Sequence, residues 1–334
     1  MRSARLGRRE FIALLSGAGA AAAYPLPLRA QQNSTPTVGF LSSGAPGAFA
    51  EMTAAFNKAL SDAGYVPGKN VTIEFRWAEG QYDRLPALAA DLVRRRVAAI
   101  AVAGGAVSAQ AAKAATSTIP IVFIMGDDPV KAGLVGSLNR PGGNITGVSL
   151  IIAQLMAKRL ELLTELVPSA STIAVLVNPA NPNAQTDLSD AQSAARSRGR
   201  QVFSVSASNP PEIDAAFASA KQRGAGALIT GTDIFFTSRR EQLVAVAKRH
   251  SMPTMYQWRE FVVDGGLASY GTSHTEPYRQ AAAYIVRILK GEKPGNLPVT
   301  QPTTFELVIN LKTANALGLT VSPQMLARAD EVIE

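Results

Sequence analysis

Short apolar runs alternate with stretches of helical period along the chain from Thr37 onward. In one such stretch Met52, Phe56 and Leu60 recur at four-residue spacing, which places them on one face of a helix. This alternation is typical of a parallel sheet flanked by helices, and therefore of an α/β fold. The predicted strands are 37–41, 71–77, 98–103, 121–125, 172–177, 201–206 and 227–230, and the predicted helices are 48–63, 82–95 and 184–198.

The pattern occurs twice, in two halves of similar order that are joined near residues 147–151. We therefore predict two Rossmann-like lobes with parallel sheets, hinged around a central ligand cleft. Ligands of open α/β sheets bind at the carboxyl ends of the strands, where helix N-termini and unpaired backbone groups gather. The loops that follow the predicted strands are the candidate binding site.

The composition supports a folded soluble protein, because 47% of the residues are apolar and only 17% are charged. A chain of 334 residues is long enough for two lobes, each with its own core. The net charge of +8 falls to +4 once residues 1–30, with five arginines and one glutamate, are set aside. No long basic run follows, so nucleic acid is not a predicted partner.

The chain has few of the side chains on which catalysis commonly depends. The chain has no cysteine and two histidines, His250 and His274. Disulfides and thiolate metal sites are therefore excluded, and two histidines are few for a histidine-rich metal site or a Ser-His-Asp relay, so both are predicted to lie on the surface. No hydrolase, metalloprotease or kinase motif occurs. We predict no metal, no cofactor and no enzymatic activity, and an α/β hydrolase or isomerase is the less favoured alternative.

Residues 1–30 have the organisation of an export signal, with a basic start, a short apolar stretch and a small residue at the end. Arg8 and Arg9 precede Glu10 and two apolar residues, which resembles a twin-arginine signal. An ordinary secretory signal is the alternative. Cleavage is predicted after Ala30, and without a cysteine for a lipid anchor the mature protein is predicted to be periplasmic.

Three polar segments suggest ligand chemistry without completing a known motif. Residues 64–70 have one residue too few for a phosphate loop and are predicted to form a turn. The segment 104–106 (GGA) can bind an anion at the start of the next helix, but the third glycine of the dinucleotide motif is absent. Asp127 and Asp128 are predicted to cap a turn before Pro129, with a metal site as the alternative.

Several long sequence segments, spread over essentially the whole mature chain, resemble those of one known family. They are LVGSLNRPGGNITGVS (134–149), REFV (259–262), GGLASYG (265–271), the segment from Leu289 to Leu319, and MLARADEVIE (325–334). These are similar to the ABC transporter substrate-binding proteins that include tryptophan- and tyrosine-binding members. The resemblance implies a type I periplasmic-binding-protein fold.

The resemblance also implies which loops line the cleft. Hydroxyls and glycine amides donate to a carboxylate, Asp233 accepts from an ammonium group, and Tyr256 or Trp258 stacks on a ring. Asp233 is the leading candidate, because a buried carboxylate at a strand end requires a cationic partner. Each has a structural alternative, with Ser42 as a cap, Asp233 as a turn residue and Trp258 as a core residue. The predicted ligand-binding residues are Ser42, Ser43, Gly44, Gly104, Gly105, Ala106, Asp127, Asn178, Asn181, Thr232, Asp233, Tyr256 and Trp258.

For the whole chain, the resemblance implies a monomeric solute receptor of an ABC importer. Its lobes would close on an amino acid or aromatic carboxylate, and the closed form would dock on membrane permease subunits. A ligand sensor for a membrane receptor shares the same cleft and is the alternative. The predicted lobes are 36–148 plus 271–299 and 149–270 plus 300–334, with hinge crossings near Gly147, Tyr270 and Thr300.

Overall fold

A computed structural model describes residues 35–151, 155–181 and 183–334. The predicted signal at residues 1–30 lies outside the described residues. Within the described ranges, no helix combines the length and the apolar character that crossing a bilayer requires.

The first lobe is built on a five-stranded parallel sheet with the strand order β2-β1-β3-β4-β5. Strands β3 and β4 are buried along their whole length, because helices cover both faces of the sheet. The strands are β1 (Thr37–Ser42), β2 (Thr72–Trp77), β3 (Ala99–Ala103), β4 (Ile121–Met125) and β5 (Ile145–Ser149).

The second lobe is built on a seven-stranded sheet with the order β12-β11-β10-β9-β8-β6-β7. All neighbouring strands are parallel except β10 and β11, which pair antiparallel. The strands are β6 (Thr172–Val177), β7 (Gln201–Ser206), β8 (Ala227–Thr230), β9 (Thr254–Tyr256), β10 (Ala268–Gly271), β11 (Glu306–Asn310) and β12 (Glu331–Ile333).

Helices pack on both faces of each sheet, since successive side chains of a strand point to opposite faces. Phe40 of β1 packs in the same core as Phe56 of α1, whereas its neighbour Leu41 packs in the core that contains Leu92 of α2. The helices are α1 (Ala50–Asp62), α2 (Leu85–Arg94), α3 (Ala106–Ala115), α4 (Met156–Leu166), α5 (Ala184–Arg196), α6 (Pro210–Gln222), α7 (Ile234–Ser238), α8 (Arg240–Arg249), α9 (Arg259–Val263), α10 (Glu276–Leu289), α11 (Leu311–Ala316) and α12 (Pro323–Arg328).

The chain passes between the lobes more than once. Helix α10 follows β10 of the second sheet, yet it packs on α1 and on strands of the first sheet. Further on, Thr300 joins the end of the first sheet, where its amide donates to Gly147 O at 3.1 Å and its carbonyl accepts from Ser149 N at 2.9 Å. The architecture is therefore the predicted two-lobed α/β fold.

The predicted elements agree with the structure apart from their ends. The strands 121–125, 172–177, 201–206 and 227–230 have the predicted bounds. The predicted helix 82–95 instead begins with a 3-10 turn at Tyr82–Arg84, and α2 starts only at Leu85. Pro86 stands in the first turn of α2, where its missing N–H costs no hydrogen bond.

Candidate functional site: a cavity between the lobes

A cavity lies where the strand ends of the two lobes face each other, and the centre of a water-sized sphere can occupy about 80 Å³ of it. The first lobe lines it with the loops after β3 and β4, and the second lobe lines it with the loops after β6, β8 and β9. Its position at the carboxyl ends of the strands matches that of small-molecule sites in open α/β sheets.

Eight of the thirteen predicted ligand-binding residues line this cavity. They are Gly104, Gly105, Ala106, Asp127, Asn181, Thr232, Asp233 and Trp258. Gly104 and Gly105 have φ angles of +88° and +90°, a region that side chains disfavour, so both residues suit glycine. A Cβ on Gly104 would also lie 2.2 Å from Ser43 Oγ.

Three of the other predicted residues belong to the end of β1 and the loop after it, which lies behind the glycine loop and contacts it through Ser43. Ser43 Oγ donates to Gly104 O at 2.7 Å, and Ser42 Oγ accepts from Gly44 N at 3.1 Å. Both serines are fully buried and neither lines the cavity. Their hydroxyls were predicted to contact the ligand, but in the structure they hydrogen-bond to backbone groups instead.

Tyr256 and Asn178 are also absent from the lining among the described residues. Tyr256 is fully buried and stacks on Phe261 with ring centroids 4.6 Å apart, so it does not present its ring to the cavity. The next residue, Gln257, lines the cavity instead. Asn178 lies behind the site, where its Nδ2 donates to Asp233 Oδ1 at 3.2 Å.

Asp233 accepts four hydrogen bonds from neutral groups. The donors are Asn181 Nδ2 at 2.8 Å, Tyr82 Oη at 3.0 Å, Asn178 Nδ2, and the amide of Phe235 at 2.7 Å, which Asp233 caps at the start of α7. Burial raises the pKa of this carboxyl, and these hydrogen bonds oppose the rise. Within the protein the carboxylate is therefore held by neutral donors, and the cationic partner expected from the sequence, an ammonium group of the ligand, stays a prediction.

Asp127 is the second carboxyl group in the cavity. Its Oδ2 accepts from Ala106 N at 3.0 Å at the start of α3, and its Oδ1 accepts from Asn183 Nδ2 at 2.6 Å. Burial raises its pKa to about 6, the Ala106 amide opposes the rise, and the nearby Asp233 carboxylate adds to it. Its neighbour Asp128 forms the predicted turn, where Oδ1 accepts from Val130 N at 2.9 Å and Lys131 N at 3.2 Å.

Behind the second-lobe loop lies a buried acidic residue that sequence analysis did not identify. Asp187 of α5 accepts from Thr232 N at 2.7 Å and so fixes the loop that carries Asp233. Burial raises the pKa of Asp187 to about 7, although the Thr232 amide and the attraction of the buried Arg159 guanidinium both oppose the rise. This attraction couples α4 to α5 beneath the site.

Sequence analysis missed thirteen residues of the lining, among them five that matter for the site because of their aromatic or polar side chains. Phe49 and Tyr82 follow the ends of β1 and β2, Gln257 follows β9, and His274 and Tyr278 follow β10. Their position after a strand was the available signal. Tyr82 was instead assigned to the start of a helix.

His274 corrects an explicit prediction, because it is not a surface residue. Its side chain is only 9% exposed, and its ring stacks on Trp258 with centroids 4.2 Å apart and an interplanar angle of 18°. Burial lowers its pKa to about 3; the positive charge of Arg240 adds to this effect and the negative charge of Glu51 opposes it. The imidazole is therefore neutral over the physiological pH range.

Two α/β lobes that jointly line a polar and aromatic cavity define a two-lobed solute-binding protein. The chain belongs to the ABC transporter substrate binding protein family, whose model matches residues 45–333. This confirms the family recognised from the sequence. It also confirms the prediction of a binding protein rather than an enzyme, since members of this family bind solutes.

Individual relatives agree with this assignment. The chain is 31% identical over 264 residues to a tyrosine-binding protein of Clostridioides difficile, which covers 79% of this chain and 75% of that protein. A conserved domain protein from Vibrio cholerae has 28% identity and a TM-score of 0.81, covering 89% of this chain and 99% of that one. These likenesses extend over most of each molecule.

Two solved structures bear on the arrangement of the lobes. An ABC domain from Streptococcus pneumoniae in complex with L-Trp has 26% identity, covers 90% of this chain and 100% of that one, and has a TM-score of 0.80. A ligand-free, open substrate-binding protein from Clostridium difficile also has 26% identity, covers 89% and 99%, and has a TM-score of 0.63. The TM-score is therefore higher with the L-Trp complex than with the open structure.

Proposed function

We propose that this protein is the solute receptor of an ABC importer and that it captures an amino acid with an aromatic side chain. The observation that carries the proposal is a cavity lined from both lobes by two carboxyl groups and four aromatic side chains. The aromatic residues are Phe49, Tyr82, Trp258 and Tyr278.

The charge of the lining favours a ligand with an ammonium group. Asp127 and Asp233 lie in the cavity, whereas no lysine or arginine lines it in the part of the chain that the structure describes. An ammonium group between the two carboxyl groups reduces their mutual repulsion and favours the ionised form of Asp127. The carboxylate of an amino acid then finds its donors among backbone amides at the start of α3 and the amide side chains of the second lobe.

The aromatic preference is supported by the rings and by the relatives. Trp258 is 6% exposed, and its ring stacks on that of His274, which fixes its orientation. Its apolar face can therefore pack against a ligand ring with little further loss of side-chain conformational entropy. Relatives named for tyrosine binding and solved with L-Trp support the same ligand class. Such rings bury enough area to supply much of the binding free energy.

Binding is proposed to act through closure of the lobes, taken as 36–148 plus 271–299 and 149–270 plus 300–334, with hinges near Gly147, Tyr270 and Thr300. A ligand that contacts both lobes stabilises the closed form over the open form. Closure then presents a new surface to membrane permease subunits, with the receptor acting as a monomer. The cross-lobe hydrogen bonds of Asp233 and Asp127 support this mechanism.

The compartment follows from the same role. We propose that residues 1–30 direct export, by the twin-arginine route, and are removed after Ala30 to release a periplasmic protein. Receptors of ABC importers generally work outside the cytoplasm, which supports this proposal. N-terminal sequencing of the protein recovered from the periplasm of the producing cells tests it, and recovery of the uncleaved chain from the cytoplasm alone contradicts it.

The ligand is tested by mass spectrometry of the molecule that copurifies with the protein and by calorimetric titration with L-tyrosine, L-tryptophan and L-phenylalanine. We expect one of them to bind with 1:1 stoichiometry, to raise the melting temperature, and to be recovered unchanged. Failure of all three to bind, or chemical conversion of the bound compound, overturns the proposal. Loss of uptake of the labelled ligand in a deletion strain distinguishes the importer role from that of a sensor.

A further inference from the structure

The cavity's polar side chains fall into two groups, those bonded to the protein and those without a protein partner. Tyr82, Asp127, Asn181, Asp233 and Thr237 all hydrogen-bond to protein groups. In contrast, no hydrogen bond to the Tyr278 hydroxyl, to a His274 ring nitrogen or to Thr232 Oγ1 is found among the described residues. Polar groups inside a protein are normally paired, so these side chains are available to the ligand, and His274 and Tyr278 are the two that pack against aromatic rings.

His274 lies where the ligand cavity borders a second cavity. His274 and Thr237 also line a second, outer cavity between residues 45–52 of the first lobe and 237–242 of the second, which neither Asp127 nor Asp233 lines. His274 therefore marks the end of the ligand cavity that faces this outer cavity. Tyr278 is 4% exposed and stands edge-on to Phe49, with ring centroids 6.3 Å apart.

The surroundings of His274 define which hydrogen bond it can make. Its Nδ1 faces Glu260 Oε2 at 3.7 Å, beyond hydrogen-bonding distance but close enough for the carboxylate to favour a proton on that nitrogen. A neutral imidazole protonated on Nδ1 leaves Nε2 as an acceptor. The stacking on Trp258 fixes the plane of the ring, and therefore the direction in which Nε2 accepts.

We propose that His274 and Tyr278 are specificity-determining residues for a polar group on the ligand's ring: His274 accepts from a phenol O–H or an indole N–H, and the Tyr278 hydroxyl donates to the oxygen of a phenol. This inference rests on the proposed function and names the part of the ligand that this end of the cavity distinguishes. A ring without a polar group leaves both side chains unpaired, and sites of this kind reject such a ligand strongly.

The test compares dissociation constants for L-tyrosine, L-tryptophan and L-phenylalanine by titration calorimetry on the full chain freed of copurified ligand. We expect the wild type to bind L-tyrosine or L-tryptophan at least about tenfold more tightly than L-phenylalanine. His274→Phe and Tyr278→Phe each lower this ratio about fivefold or more, since each removes one partner of the ring's polar group. A folding defect weakens all three ligands equally and leaves the ratio unchanged.

His250→Phe is the matched control, because His250 is the other histidine of the chain and pairs with Asp214 outside the cavity. It should keep the wild-type ratio. His274→Gln retains a hydrogen-bonding side chain and should recover part of the preference.

Equal binding of the three amino acids by the wild type, or an unchanged ratio in both phenylalanine variants, overturns the inference and leaves the proposed function intact. Binding of none of the three overturns the proposed function itself.

Discussion

The Tyr82 hydroxyl donates to Asp233 Oδ2 at 3.0 Å, which joins the two lobes directly across the ligand cavity. Tyr82 follows β2 of the first sheet, whereas Asp233 follows β8 of the second. A second bond of this kind runs from Asn183 Nδ2 to Asp127 Oδ1. These contacts can form only when the lobes are close together, so under the proposed closure they favour the closed form over the open form.

Tyr82→Phe should therefore weaken ligand binding without unfolding the protein. It removes a hydrogen bond to a charged group that is present only in the closed form, so the fraction of closed molecules falls. We expect an affinity loss of about tenfold, measured by titration calorimetry.

Tyr65→Phe is the control for Tyr82→Phe. Tyr65 follows α1 and packs against the core, and its hydroxyl has no hydrogen bond in the described part of the chain. It should bind ligand as the wild type does. An unchanged affinity in Tyr82→Phe would mean that this cross-lobe bond does not contribute to closure.

The Asp127 carboxyl should make stability depend on pH. Its pKa is about 6 in the folded protein and 3.8 ordinarily, so between these values the folded state holds a proton that the unfolded state has lost. The free energy of unfolding should fall as pH rises from about 4 to about 6, by up to about 3 kcal/mol from this group. Urea denaturation of the ligand-free protein across this range measures the slope.

Asp127→Asn should reduce this slope, because the titrating group is gone. Asp187, with its pKa raised to about 7, contributes in the same direction, so part of the slope remains. Asp128→Asn leaves the Asp127 carboxyl in place and should retain the wild-type slope. Identical slopes for Asp127→Asn and the wild type would show that Asp127 ionises in the same range in both states.

Arg159→Met should destabilise the second lobe. Arg159 is fully buried and its positive charge offsets the cost of burying Asp187, which in turn holds the Thr232 amide. Removing a buried charge that compensates a nearby buried charge of opposite sign costs up to about 3–5 kcal/mol. Arg196→Met, at an exposed position on α5, should change stability by no more than about 0.5 kcal/mol. Equal stability of the two variants would exclude a contribution from the buried charge.

Gly147 should not tolerate a side chain. It lies in β5, and a Cβ there would be 2.2 Å from the carbonyl oxygen of Phe123 on the neighbouring strand. Because strand backbones cannot move apart without breaking their pairing, Gly147→Ala should cost about 1–3 kcal/mol in the free energy of unfolding. Gly47→Ala, which meets nothing within 4 Å, should be neutral. A neutral Gly147→Ala would show that β5 and its pairing with Thr300 can shift freely.

The sequence alone predicted the strands well where short apolar runs are bounded by breakers. Residues 121–125 and 172–177 have the predicted bounds, because a buried parallel strand must be apolar throughout and its ends are marked by polar or turn residues. The same periodicity placed Asp127, Thr232 and Asp233 at strand ends, and all three line the cavity.

One predicted site residue was wrong by one position, because the sequence does not show to which side of a strand a side chain points. Tyr256 and Gln257 are neighbours at the end of β9, and the sequence favoured the aromatic residue for the site. A change of one position in a strand reverses the face to which a side chain points. Packing on Phe261 directs Tyr256 into the core and leaves Gln257 for the cavity.

The sequence by itself determined the α/β pattern, the order of the elements, the family and the loops from which the site is built. Only the tertiary structure decided which side chains meet there, such as Tyr82 with Asp233 and Trp258 with His274. Local patterns reflect interactions between residues a few positions apart, whereas these pairs form only after two sheets have assembled and faced each other. For the same reason His274, polar and isolated in the sequence, is buried once helix α10 returns to the first lobe.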